Sequence, residues 1–353
     1  MKTPLYVFSE EKIRENYKKI VSVMNKIKIC YAMKANSEEG VLRILAEEGA
    51  WFECASKGEF DIASQVGIRP EQIIFGLPIK TEETITYVYE RGERYFVFDD
   101  VVELEKLIKL APNSNKLLRI KVNDISPDTI DFGMSMERIM ENTKNWLKYV
   151  DGITFHISNN SNLEVFGEVS RRVCEILEIL NKNSKKKYIV NIGGGLSLSA
   201  GQDFYDGINK IIEGFMEAYD VEFYAEPGEA IVNTSGKFYT KVIMTKRNGR
   251  LVDVYIDAGI PQGIAVRRIP SAINIYGCSR VKDEKVIYRF IDCTCMGAAL
   301  FTKRTNLDIQ DDDILEFEGC GAYSVPFCND FHAYEKCRIL FKENFRSIPV
   351  IQK

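Results

Sequence analysis

The chain has 353 residues, of which 45% are hydrophobic, and a formal net charge of -4. This length exceeds the usual size of one hydrophobic core and predicts about two domains. Charges of mixed sign without a basic excess give no reason to expect a nucleic-acid partner. The N-terminus lacks a signal pattern, and no apolar run approaches the roughly 20 residues that span a bilayer, so we expect a cytoplasmic protein without a membrane partner.

Nine cysteines and two histidines are the soft metal ligands available to the chain. No CxxC pair occurs, so the sequence predicts neither a zinc site nor another metal site. A disulfide scaffold is not expected either. Most of the cysteines are typical of small buried hydrophobic residues, and Cys295 is the one to which we assign a functional role.

Short apolar segments alternate with amphipathic helical patterns over the first two thirds of the chain. The first helix, 9–25, begins at Ser9 as its N-cap and carries two glutamates in its first turn. The predicted strands are 27–35, 51–55, 73–76, 95–99, 117–122, 152–157, 188–192 and 221–225. The helices between them are predicted at 38–48, 57–66, 81–91, 101–110, 136–149, 162–182 and 204–219. Eight β–α units over roughly 200 residues indicate an α/β fold, a (β/α)8 or TIM barrel.

The pattern changes after Gly228, where helical periodicity gives way to alternating and β-branched runs. These runs predict a separate β domain. Its strands are expected at 237–245, 251–256, 286–293 and 314–317. The predicted boundaries are 9–235 for the barrel, and 1–8 with 236–353 for the C-terminal β domain.

The first barrel strand delivers Lys34 near its C-terminal end. A primary amine attacks an aldehyde only when deprotonated, and burial at a strand end would lower its pKa. This placement suits a Schiff base with pyridoxal 5'-phosphate (PLP). The alternative is a strand-end lysine that reaches solvent.

Catalytic groups of such barrels lie at the C-terminal ends of the strands. Polar residues and glycines occur there in six of the predicted strands. They are Lys34, Glu53 and Ser56, Arg119, His156, the run Gly193, Gly194 and Gly195, and Glu226.

Each of these residues has a structural and a functional interpretation. The three glycines form either a flexible turn or a backbone cradle for a phosphate. His156, which precedes Ser158, Asn159 and Asn160, is either a core histidine or a ring-stacking or acid–base group. Glu226 either bonds a turn or pairs with the pyridine nitrogen of PLP, which keeps the ring protonated as an electron sink.

Five motifs in order resemble the ornithine/diaminopimelate/arginine decarboxylases, which are PLP enzymes of the alanine-racemase fold (fold type III). They are 31–36 (YAMKAN), 53–59 (ECASKGE), 192–195 (IGGG), 226–228 (EPG) and 321–323 (GAY). The resemblance covers nearly the whole chain. It implies a PLP barrel, a C-terminal β domain completed by the first few residues, and a homodimer with active sites at the interface.

The resemblance also implies a role for each matching residue. Lys34 forms the internal aldimine, and Glu53 and Arg119 lie near the cofactor. His156 stacks on the ring, and Glu226 pairs with the ring nitrogen. The remaining roles are phosphate binding by Gly193, Gly194, Gly195 and Tyr323, and return of a proton to the decarboxylated intermediate by Cys295 of the partner subunit.

Three departures from the family pattern bear on the substrate. Met296 replaces the acid that grips a distal amine, Glu229 replaces an arginine, and Arg267 and Arg268 occupy the region of a second acid. Loss of acids and gain of arginines favours a carboxylate or phosphate over a distal ammonium. We therefore expect a decarboxylase for an atypical, anionic or carrier-attached amino acid in a specialised biosynthetic pathway. The alternative for both arginines is a solvated or dimer-rim position.

Two other functions stay open. An amino-acid racemase of the same fold would carry a Lys-Ala-Asn-Ala-Tyr-Gly-His-Gly signature, but here Asn36 is followed by Ser37. A catalytically silent regulator, or a PLP-binding module, would explain Glu229 and Met296, although it has no need of all of the retained residues Lys34, His156, Glu226, Cys295 and Tyr323.

Overall fold

The computed structural model describes residues 1–127, 131–141, 146–158 and 160–345. The chain divides into two compact units. One is Tyr17–Ala230, here called the barrel unit, and the other combines Met1–Asn16 with Ile231–Lys353, here called the β unit.

Eight parallel strands of the barrel unit close into a barrel in chain order, which confirms the predicted (β/α)8 fold. They are β2 (Ile27–Ala32), β3 (Trp51–Cys54), β4 (Ile73–Phe75), β5 (Tyr95–Phe98), β6 (Asn115–Arg119), β7 (Gly152–Thr154), β8 (Tyr188–Asn191) and β9 (Val221–Ala225). The ring closes where β9 pairs with β2, with Phe223 opposite Ile27. Most strands end one to three residues before their apolar runs do, because the buried run continues into the loop at the barrel's end.

Helices alternate with these strands, and side chains fix several helix starts. They are α1 (Glu10–Val23), α2 (Glu39–Glu47), α3 (Lys57–Val66), α4 (Glu82–Glu90), α5 (Val101–Leu110), α6 (Met136–Glu141), α7 (Leu163–Asn183), α8 (Gln202–Ala218) and α9 (Glu229–Val232). Ser56 caps α3 by accepting a hydrogen bond from the Glu59 amide. The predicted helix 136–149 includes residues 142–145, which lie outside the described residues. In the described part of the chain, no helix is long and apolar enough to cross a membrane.

The barrel interior is filled by side chains from six of its strands. Cys30, Ile74, Val97, Leu117, Ile189 and Tyr224 form one buried cluster, against which Trp51 and Tyr95 pack. A barrel filled in this way is a core and not a pore, so chemistry is confined to its ends.

The β unit contains the remaining strands, β1 (Leu5–Ser9), β10 (Gly236–Asn248), β11 (Leu251–Ile256), β12 (Ile273–Ile275), β13 (Val281–Ile291), β14 (Ala299–Leu307), β15 (Ile314–Glu318) and β16 (Arg338–Lys342). The sheet order is β12-β15-β10-β11-β13-β14, and β1 lies between β10 and β16. N-terminal residues therefore complete a sheet built from the C-terminal part of the chain. Its aromatic core includes Tyr6, whose hydroxyl donates to the Gln262 carbonyl at 2.9 Å.

Candidate active site

Lys34 lies in a short 3-10 turn, Met33–Ala35, that follows β2. The neighbouring Met33 and Ala35 are buried, whereas the Lys34 side chain is exposed. The expected burial of this lysine, and the extension of its strand to residue 35, are therefore wrong. The turn is fixed from its buried side, because the Tyr31 hydroxyl donates to the Asn36 carbonyl at 2.9 Å.

The glycine run after β8 approaches other backbone too closely for any side chain. Gly193 has a φ of 67°, and a Cβ there would lie 2.2 Å from the Phe155 carbonyl oxygen. A Cβ on Gly194 would lie 2.6 Å from the Glu226 carbonyl oxygen. Only glycine fits such positions. The amides of Gly193 and Gly194 already donate to Asn191 and His156, so within the described residues it is the Gly195 amide of this run that can meet a ligand. A turn of this kind fits the phosphate of PLP.

His156 follows β7 and is half-buried. Its Nδ1 accepts a hydrogen bond from the Gly194 amide at 3.2 Å. Burial lowers the pKa of His156 to about 3, and the positive charges of Lys34 and Arg119 act in the same direction. The imidazole is therefore neutral at physiological pH, which suits a flat ring that stacks on another ring better than an acid.

Asn191 joins the glycine run to Glu226 and was not among the predicted site residues. Its side-chain Nδ2 donates to Glu226 Oε1 at 2.5 Å, and its Oδ1 accepts from the Gly193 amide at 2.9 Å. Asn191 is fully buried. A buried amide with both ends bonded holds the glycine run and the carboxylate in one arrangement. A polar residue inside the apolar run 188–192 was the available sequence signal.

Glu53, the third residue of β3, is 3% exposed. Its Oε2 has no hydrogen-bond partner in the part of the chain that the structure describes. Burial raises the pKa of Glu53 to about 8, with Lys34 opposing this rise and Glu226 adding to it. A group that holds its proton near neutral pH at the C-terminal end of a barrel is suited to acid–base work.

Arg119 is the last residue of β6 and is half-buried. Burial lowers its pKa, while the negative charges of Glu226 and Glu53 oppose the change. Its guanidinium lies 5.2 Å from the ring centroid of Phe132, a residue to which the sequence assigned no role. The adjacent Gly133 amide donates to Asp99 at 3.0 Å and holds this segment at the barrel's end.

The remaining predicted site residues belong to the β unit. Cys295 and Met296 are exposed in the segment between β13 and β14, where the buried Asp292 accepts hydrogen bonds from the Thr294 amide and hydroxyl. Arg267 and Arg268 are exposed, and Tyr323 is half-buried. That these residues contribute to the active site of the barrel remains a prediction. Asn159, expected beside His156, lies outside the described residues.

One end of the barrel thus combines an exposed lysine, a glycine cradle, a neutral histidine, an arginine and two carboxylates. The cradle and the donor and acceptor groups around it fit PLP. Together with the separate β unit, they define the class of the protein as a PLP enzyme with a TIM barrel and a β domain.

Comparison with known proteins agrees with this class. The family described as pyridoxal-dependent decarboxylase, pyridoxal binding domain, matches residues 10–240, and the chain belongs to this family. It is 26% identical to diaminopimelate decarboxylase of Methanocaldococcus jannaschii, over 96% of this chain and 86% of that protein. It is also 25% identical to antizyme inhibitor 2 of Xenopus laevis, over 95% of this chain and 80% of the relative.

Solved structures show the same architecture. The arginine decarboxylase of Paramecium bursaria Chlorella virus superposes with a TM-score of 0.88 at 24% identity and covers 97% of both chains. The M. jannaschii diaminopimelate decarboxylase gives a TM-score of 0.85 at 26% identity, over 97% of this chain and 87% of that one. The protein is accordingly a PLP-dependent amino-acid decarboxylase of the ornithine/arginine/diaminopimelate type.

Proposed function

We propose that this decarboxylase acts on an amino acid whose distal group is anionic or attached to a carrier, rather than on a cationic diamino acid. The observation that carries the proposal is Met296. This residue follows Cys295, where the resemblance expects an acid for a distal amine, and the residue is 58% exposed. A thioether offers no counter-charge to an ammonium group.

The exposed arginines support the same substrate class. Arg267 and Arg268 follow each other in the β unit, where the resemblance expects a second acid. A guanidinium binds a carboxylate or a phosphate with two parallel hydrogen bonds, which a lysine does not reproduce. Asp257 precedes the two arginines in the sequence, and its carboxylate already accepts hydrogen bonds from the Thr240 hydroxyl and the Lys241 amide at 2.7 and 2.9 Å.

The barrel residues take the roles that their positions support. Lys34 holds the cofactor covalently, the Gly195 end of the glycine run binds its phosphate, and Glu226, oriented by Asn191, pairs with its ring nitrogen. PLP, when bound, supplies the electron sink for loss of carbon dioxide. Cys295 of the partner subunit in a homodimer then gives the proton of its thiol to the substrate carbon.

The experiment is a product analysis in deuterated water with a panel of amino acids of anionic, neutral and cationic side chains, including carrier-linked forms. An amine that lacks the carboxylate and carries one deuterium identifies the substrate. Ordinary turnover of ornithine, lysine or arginine would overturn the proposed substrate class.

Substitution of Met296 sharpens the test. Met296→Asp restores an acid and is expected to raise turnover of a cationic diamino acid up to about fivefold, because an ion pair at an exposed position gains at most about 1 kcal/mol. Met296→Asn is the control, because asparagine has the shape of the introduced aspartate but carries no charge. Arg267→Ala and Arg268→Ala should weaken binding of an anionic substrate, whereas Arg247→Ala, an exposed arginine on β10, should not.

The similarity to an antizyme inhibitor favours the regulator as the second candidate. Borohydride reduction of the PLP-treated protein separates the two. Cofactor fixed on Lys34 supports the enzyme, and Lys34→Ala is expected to abolish it with little change in stability because the side chain is exposed. Failure of the wild-type chain to retain PLP would support the regulator, and deuterium at Cα of an intact amino acid would indicate the racemase.

A further inference from the structure

Gly76 directly follows β4 and lies beside β3, since its amide donates to the Cys54 carbonyl at 2.8 Å. Its φ is not in the left-handed region, so the backbone there would accept any residue. A Cβ at this position would nevertheless lie 2.1 Å from Glu53 Oε1 and 2.8 Å from Glu53 Cγ and Cδ. The Glu53 carboxyl thus occupies the space that a side chain on residue 76 would fill.

One oxygen of the buried Glu53 carboxyl is not hydrogen-bonded to any group in the described part of the chain. This atom is Oε2, although the side chain is almost completely buried. Leaving such a group unpaired costs about 1–3 kcal/mol. Glu59, by contrast, is committed, because its Oε2 accepts from the Ala55 amide at 2.7 Å.

The charges that act on Glu53 all come from the same end of the barrel. Among them, Lys34 favours the ionised carboxyl most strongly. Glu226, Glu59 and Arg119 also act on it. Glu53 pairs with Ala32 across the β2–β3 ladder, two residues before Lys34, so the carboxyl and the cofactor-binding lysine belong to the same stretch of the barrel's end.

We propose that Gly76 is a positioning residue, whose bare backbone admits the Glu53 carboxyl to a place where it exchanges a proton with the Lys34 amine. A substrate ammonium must lose one proton before its nitrogen displaces Lys34, and the released lysine takes up one proton. The ionised fraction of Glu53, about a tenth of the molecules at pH 7, accepts the first proton and then, as the carboxylic acid, supplies the second. No proton is gained or lost overall.

The proposal makes Gly76 and Glu53 a size-matched pair. A Cβ on residue 76 displaces only the outer atoms of one flexible side chain, so Gly76→Ala should fold while moving the carboxyl away. Aspartate is one methylene shorter, which removes the 2.1 Å approach and leaves only approaches of about 2.8 Å that a small shift of the side chain relieves. The double variant Gly76→Ala/Glu53→Asp should thus recover what Gly76→Ala loses.

The test follows by absorbance the exchange with ethylamine of the PLP-loaded wild type, of Gly76→Ala, Glu53→Asp and Glu53→Gln, and of the double variant. This reaction needs no decarboxylation substrate, so its outcome is independent of the proposed function. Ethylamine is an ammonium at pH 7, and its exchange should slow about tenfold or more in Gly76→Ala and in Glu53→Gln. Hydroxylamine, already neutral at that pH, should be affected less. The double variant should react within about threefold of the wild type.

A second readout uses the protein without PLP. The infrared carbonyl band of protonated carboxyls at pH 7 should be weaker in Glu53→Gln than in the wild type, whereas the buried Glu93, whose pKa burial also raises, contributes equally to both. The difference due to Glu53 should titrate at lower pH in Gly76→Ala, where the carboxyl has left its buried position. Two results would overturn the proposal. One is unchanged exchange and titration in Gly76→Ala, and the other is a double variant slower than both single variants, as expected for purely structural damage.

Discussion

Asn191→Asp tests the contact that orients Glu226. The change keeps the shape of the side chain and the acceptor for the Gly193 amide, but it places a second carboxyl 2.5 Å from Glu226 Oε1. Two unit charges at that distance repel by about 7 kcal/mol at an effective dielectric constant of about 20. The introduced carboxyl avoids this repulsion by taking up a proton.

Protonation sets the size of the effect and its dependence on pH. An ordinary aspartate pKa is about 3.9, so holding the proton at pH 7 costs about 4 kcal/mol, which is less than the repulsion. A carboxyl whose pKa is raised by folding destabilises the protein above its unfolded pKa. The deficit relative to wild type should therefore be nil near pH 4 and grow by about 1.4 kcal/mol for each pH unit above it.

The assay is urea unfolding of the protein without PLP at pH 5, 6, 7 and 8. Both tryptophans of the chain, Trp51 and Trp146, belong to the barrel unit, so their fluorescence reports its unfolding. Asn191→Ala is the control, since loss of the amide leaves the Gly193 N–H unpaired at a cost of about 1–3 kcal/mol that does not change with pH. A constant deficit for Asn191→Asp from pH 5 to 8, or one below about 1 kcal/mol at pH 7, would refute the assigned contact.

The same unfolding assay tests three further expectations. Folding lowers the pKa of His156 to about 3, so the wild type should lose about 2 kcal/mol of stability between pH 7 and pH 5. His156→Gln should lack this share of the loss. Equal dependence of stability on pH in the two proteins would contradict the lowered pKa. Glu103→Gln removes the carboxylate that lies 2.9 Å from the buried Lys80 Nζ, and it should cost about 3 kcal/mol of stability at pH 7. The cost should be clearly smaller at pH 9, because the pKa of Lys80 is lowered to about 8 and the amine can then lose its proton. A cost that does not fall with pH would count against this. Gly193→Ala should destabilise the protein by about 3 kcal/mol or more, through both backbone strain and overlap with a carbonyl oxygen. Gly201→Ala should show the strain alone, because Gly201 also has a positive φ but no described atom lies within 4 Å of its Cβ. Similar losses of stability in the two variants would argue against the close approach at Gly193.

Local signals in the sequence were sufficient to predict the order of the helices and strands. Predicted and observed bounds agree for α3, α5, β9 and β11, where capping residues or turn glycines adjoin the apolar pattern. Agreement is poorer at the C-terminal ends of strands such as β2 and β7. An apolar run continues through a buried loop as it does through a strand, and only pairing with the neighbouring strand decides where the ladder stops.

The sequence by itself also determined the prediction that the candidate residues share one barrel site, because the ends of parallel strands in a closed barrel meet at one rim. It did not reveal Asn191 as the link between the glycine run and Glu226, 35 residues away, or Gly76 as the space for Glu53. It also placed Lys34 in a buried strand instead of an exposed turn. Hydrogen bonds and close approaches of this kind depend on distances across the barrel, which neither composition nor periodicity encodes, and so the tertiary structure alone decided them.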